Sequence, residues 1–198
     1  MRGAQMLYES GYITYMRTDS DKLSEVAALL AHKTAQNSFG INSVKEIVHN
    51  DEDSGAHEPI RPAIWNETFV RPEDLPSHSA SNGIVIPPKF LSLYEIIYSR
   101  TLASVMNDMV TNITSLTLFC DEVCAEFRVS TSSVVDLGFS SAFQAGSKVK
   151  ETLNLDSFEI GEVLSPSNVT AIEHITSPPS RYSEAAFVKE LELLGIGR

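Results

Sequence analysis

Tyr15 and Arg17 stand two residues apart in GYITYMRTDS (residues 11–20), a short stretch that ends in Thr18-Asp19-Ser20. A phenol titrates near pH 10, so a tyrosine attacks phosphorus only where its phenolate is stabilised. A neighbouring guanidinium supplies that stabilisation and can hold a phosphate oxygen through two N–H groups. In an extended segment residues i and i+2 point the same way, so the pair is expected on one face, aimed at one phosphodiester. The competing reading is a buried strand tyrosine beside a surface cation, and Tyr-x-Arg alone favours it.

His57-Glu58-Pro59-Ile60-Arg61 is the second candidate. A zinc protease would need a second histidine where Arg61 stands, so the metal reading fails there. On a helix, His57 and Arg61 at i and i+4 would share a face and could meet one phosphate. A histidine that only satisfies local backbone is the plainer alternative.

These residues need a scaffold. Ser24 can cap a helix from Glu25 to about Phe39, with Val26, Leu29 and Leu30 on one face and Gly40 as its stop. The first residues read as a helix already under way. Residues 66–92 are rich in proline and serine and are expected to be loop. Ser92 can cap a second helix to about Val110, with Leu93, Ile96, Ile97, Leu102 and Val105 inward. Residues 113–119, 125–135, 157–164 and 168–175 alternate and are β-branched, so they read as strands. A last helix is expected after Ser183, carrying Phe187, Leu191 and Leu194 and closed by Gly195.

Composition narrows the function. With 198 residues and 42% apolar content the chain can fold around a real core. A net charge of -11 gives no bulk attraction to a polyanion, so nucleic-acid contact would rest on a few placed cations. Cys120 and Cys124 cannot complete a four-ligand zinc site, and they fit a reducing, intracellular setting. No apolar run is long enough to span a membrane.

Four segments, in order, resemble the type IA DNA topoisomerases: AQMLYESGYITYMRTDS, GAHEPIRPA, LYEIIYSRTLASVM and SPPSRYSEAAFVKELELLGIGR. Together they cover the chain end to end. The second departs from the family pattern by Pro59, where the family has alanine. The resemblance implies an α+β piece of a multidomain core. It would hold a winged-helix-like, helical tyrosine domain over residues 1–108, part of a β-rich arch over 109–175, and the start of a helical single-strand-binding domain over 176–198.

The resemblance also implies roles. Tyr15 would attack one DNA strand and become linked to its 5′ phosphate, and Arg17 would contact the scissile phosphate. His57 and Arg61 would lie at the DNA-binding cleft, Arg198 along the single-strand groove, and Arg181 at a structural or phosphate contact. Asp19 would orient Arg17. Mg²⁺ is implied for the full-length isomerase, held by an acidic N-terminal domain outside this chain, with no metal site in the chain itself. The expected partner is single-stranded DNA and the expected parent a monomer, intracellular and associated with DNA. The chain alone is expected to be an inactive interior piece. Two alternatives stand: a non-catalytic nucleic-acid-binding or assembly module of the same fold, and an unrelated tyrosine phosphorylation target.

Overall fold

Helix α1 (Arg2–Glu9) ends at Gly11, whose φ of +76° is the left-handed conformation that glycine adopts most readily. The amides of Gly11 and Tyr12 bond back to the carbonyls of Tyr8 and Leu7, both at 2.8 Å, and this paired closure turns the chain out of the helix. The computed structural model describes residues 2–18, 20–46, 58–143, 155 and 157–196. His57, Arg198 and Asp19, three residues of the expected site, lie outside the described residues.

Helix α2 (Glu25–Phe39) has the expected limits. Ser24 Oγ accepts from the Ala27 amide, and Gly40 closes the other end with its amide on the Gln36 carbonyl. Its buried face is the expected one only at Leu30, which is half-buried against the core. Ala27, Ala31 and Ala35 are fully buried, whereas Val26 and Leu29 are 67% and 46% exposed. Alanines at i, i+4 and i+8 let the helix backbone approach its neighbour closely, which bulkier side chains at those positions would prevent. Ala31 and Ala35 share a core with Phe69, Leu102, Met106 and Ala142.

The stretch expected to be loop folds instead. β1 (Ile64–Trp65) and β2 (Thr68–Phe69) pair as a tight antiparallel hairpin, turned by Asn66 and Glu67 at φ of 47° and 61°. Helix α3 (Leu75–Ser81) follows, with Pro76 in its first turn, where a missing amide hydrogen does no harm. Leu75 and Ser79 face inward, and that burial turns a loop-like sequence into a helix. Helix α4 (Pro88–Ser104) starts four residues before the expected cap, again with proline opening the first turn, and it stops short of Val110. Tyr94 and Leu102 are its deepest apolar side chains, and Ile96, expected inside, is 56% exposed. A second core gathers Leu7, Tyr12, Ile13, Val70, Leu75, Ile86 and Tyr94.

β3 (Val110–Cys120) and β4 (Ala125–Asp136) form a long antiparallel hairpin in which Leu118 faces Phe127 and Cys120 faces Ala125. At its base Gly138, with φ of +48°, lies so close to the Asp108 carbonyl that a Cβ would sit 2.4 Å from that oxygen. One compact unit spans Met1–Phe158 and another Glu159–Arg198. Residues 157–164 and 168–175 do not form the expected strands. An alternating sequence needs a hydrogen-bonding neighbour to become sheet, and none pairs with these segments among the described residues. Helix α5 (Glu184–Leu193) does form, capped by Ser183 and followed by Gly195 at φ of +67°.

Candidate active site

The tyrosine segment is held from below before it reaches Tyr15. Tyr12 is fully buried, and its hydroxyl lies 2.9 Å from His78 Nδ1 on α3. Burial pushes its pKa above the ordinary phenol range, and a hydrogen bond with Asn82 works in the opposite direction. The Tyr12 ring stacks on Trp65 at 5.5 Å, and the indole Nε1–H donates to the Gly11 carbonyl at 2.9 Å. This platform of Tyr12, Trp65 and His78 draws on residues far apart in sequence, and no local spacing announces it.

Beyond the platform the segment is joined to residues 58–63. The Ala63 amide donates to the Tyr12 carbonyl at 2.8 Å, and the Thr14 amide donates to the Arg61 carbonyl at 2.9 Å. Ile13 and Pro62 form an isolated antiparallel bridge. The Thr14 hydroxyl donates to the Pro59 carbonyl at 2.7 Å and accepts from the Arg61 amide at 2.9 Å. Residues 12–14 and 59–63, drawn from the two candidate motifs, therefore lie side by side.

Tyr15 emerges from this joint into solvent, 45% exposed, with its ring edge-on to Tyr8 of α1 at 5.2 Å. Arg17 is also exposed. Among the described residues neither the Tyr15 hydroxyl nor the Arg17 guanidinium has a hydrogen-bond partner. Residues 14–17 run through bends and not along a strand, so strand alternation does not set the relation of Tyr15 to Arg17. Prolines at 59 and 62, which lack amide donors, prevent a longer ladder here.

Arg61 is inside. Its guanidinium donates to the Pro62 carbonyl and pairs with Glu58, and its Nε is buried without a partner. Glu58 in turn accepts from the Ser24 amide at 3.1 Å, which ties this segment to the start of α2. Residues 59–63 are non-helical, so the helical i, i+4 geometry expected of His57 and Arg61 is not what places Arg61. Arg181 lies in the second unit, exposed and ahead of α5. Among the described residues no three His, Cys, Asp or Glu side chains converge as a metal site. No helix among them is long and apolar enough to cross a membrane.

An exposed tyrosine on a fixed backbone, an arginine two residues on, and a buried support beneath them can present a nucleophile to a long substrate. A family model described as DNA topoisomerase matches residues 1–198. The chain belongs to the type IA DNA topoisomerase family. DNA topoisomerase 1 of Synechococcus elongatus is 35% identical over 209 residues, covering 100% of this chain and 22% of that protein. The Campylobacter jejuni protein of the same name is 37% identical, covering 98% of this chain and 28% of its own length. The solved full-length topoisomerase I of Thermotoga maritima superposes with a TM-score of 0.75 at 30% identity, over 100% of this chain and 31% of that structure. The chain thus spans between a fifth and a third of the relatives it matches, and its mixture of helix and sheet matches part of the Thermotoga structure.

Proposed function

We propose that this chain carries the nucleophile of an ATP-independent DNA topoisomerase. The Tyr15 Oη gives up its proton and bonds to a phosphodiester phosphorus, the P–O3′ bond breaks, and the leaving 3′ oxygen takes up a proton, so the exchange is proton-neutral. The DNA is left linked through its 5′ phosphate to Tyr15. Reversal re-forms the P–O3′ bond after a strand has passed, and the tyrosyl ester conserves the bond energy. Arg17 holds a non-bridging oxygen of the same phosphate and balances its developing charge. The observation that carries this reading is the exposed Tyr15 phenol, leaving a hydrogen-bonded joint between two family motifs.

The other roles follow the family pattern. His57, Arg198 and Arg181 contact DNA, and Arg61 shapes the cleft from beneath. Residues 1–108 form the tyrosine domain, 109–175 the arch segment and 176–198 the entry to the single-strand-binding domain. The parent works as a monomer on single-stranded stretches of intracellular DNA. Mg²⁺, bound elsewhere in the parent, would help neutralise phosphate charge. A net charge of -11 favours one second reading, a non-catalytic assembly module of the same fold.

The two readings separate in a supercoil-relaxation assay on the full-length protein with Mg²⁺. The wild type relaxes the plasmid and Tyr15→Phe does not, by at least about a hundredfold, in keeping with loss of a covalent nucleophile. The 198-residue chain alone leaves the plasmid supercoiled. A full-length wild type that is folded and inactive would favour the assembly module.

A further inference from the structure

Thr14 is the last residue before Tyr15, and it uses both capacities of its hydroxyl. Oγ1 donates to Pro59 and accepts from Arg61, while the Thr14 amide donates to the Arg61 carbonyl. Between Pro59 and Pro62 only Ile60 and Arg61 have amide hydrogens, so main-chain pairing here is confined to the bonds of Thr14 with Arg61 and of Ala63 with Tyr12. The Thr14 side chain takes the place of the missing ladder. Past this point support thins. Among the described residues Tyr8 supplies the one aromatic ring against Tyr15, and the Tyr15 hydroxyl has no hydrogen-bond partner. With no hydrogen bond to hold the phenol itself, the backbone from which it springs is the bonded part of its support.

We infer that Thr14 is a positioning residue: its hydroxyl fixes the Tyr15 backbone against residues 59–61 and so sets where the phenol meets the phosphorus. The inference rests on the reading of Tyr15 as nucleophile. It acts on the bond-making step, because a small displacement of a reacting atom slows chemistry far more than it weakens binding of a long substrate. A purely structural Thr14 would change stability and leave the folded enzyme's rate intact.

The test uses the full-length protein, Mg²⁺ and an end-labelled single-stranded oligonucleotide at saturation. The first-order rate of covalent adduct formation is measured well below the melting temperature of each variant. Thr14→Val removes the hydroxyl at nearly constant shape and is expected to slow the step about tenfold. The dissociation constant for the oligonucleotide without Mg²⁺ is expected to stay within about twofold, and Thr14→Ser to return the rate to within about threefold of wild type, since it restores both hydrogen bonds. Thr14→Ala reads the same loss if the valine variant does not fold. Wild-type rates in the hydroxyl-free variants, or a slowing that serine does not rescue, would overturn the inference while leaving Tyr15 as nucleophile. Adduct that persists in Tyr15→Phe would remove the nucleophile assignment, and this inference with it.

Discussion

Three tyrosines stand within one short segment, and the structure buries one and leaves two exposed. Tyr12 is fully buried, Tyr8 is 40% exposed and Tyr15 is 45% exposed. Burial removes Tyr12 as a nucleophile and makes it a support. Glu58 is the charged residue that joins this region to α2. Desolvation pushes its pKa up, but hydrogen bonds from Ser24 and the Arg61 guanidinium outweigh that and hold it below the usual carboxylate range. Its stabilisation is therefore present above the unfolded carboxylate pKa, about 4.3, and is lost as pH falls through the lower folded value. Glu58→Gln is expected to lower stability by about 1–3 kcal/mol at pH 7, because Arg61 is left buried beside a neutral group. Thermal melts should show the gap between variant and wild type closing as pH falls below the unfolded carboxylate value and through the lower folded one. A constant gap would mean that Glu58 acts through packing alone. Tyr15, Arg17 and the segment around Arg61 were all legible as a motif. The Tyr12–His78 contact was not, since its partners are 66 positions apart and neither sits in a recognisable pattern.

At the scale of elements, local chemistry was readable and tertiary choice was not. Ser24 and Gly40 mark α2, and Ser183 and Gly195 mark α5, because caps are decided by the few residues around them. The face that α2 buries is decided by what α4 brings against it, and alanines give a weak signal beside Val26 and Leu29. The same holds for α3, whose proline and serines read as loop until Leu75 and Ser79 find a core. Ala31→Leu is thus expected to cost about 1–3 kcal/mol through overpacking. Leu29→Ala, on the exposed face, should cost less than about 1 kcal/mol. Urea melts of the two variants rank them directly, and the reverse order would put the buried stripe on the wrong face.

At the scale of the molecule, the first compact unit holds both the buried support beneath the exposed Tyr15 phenol and the long β3–β4 hairpin. The hairpin keeps apolar side chains in solvent, with Phe119 at 75% and Val135 at 69% exposure. A two-stranded ribbon with open edges of this kind offers surfaces for further pairing, and the relatives are three to five times longer than this chain. The acidic balance fits the same picture: DNA contact would depend on the placement of a few arginines and not on the field of the whole chain. Within that picture the decisive atom is the Tyr15 hydroxyl oxygen. The most direct test is to trap the DNA adduct of the full-length protein, digest it with trypsin, and fragment the peptide Gly3–Arg17 in a mass spectrometer. This peptide holds Tyr8, Tyr12 and Tyr15, so fragmentation must assign the nucleotide to one of them. A 5′-linked nucleotide is expected on Tyr15 and none on Tyr8. Nucleotide on Tyr8, or an adduct mapped to any other peptide, would contradict that assignment.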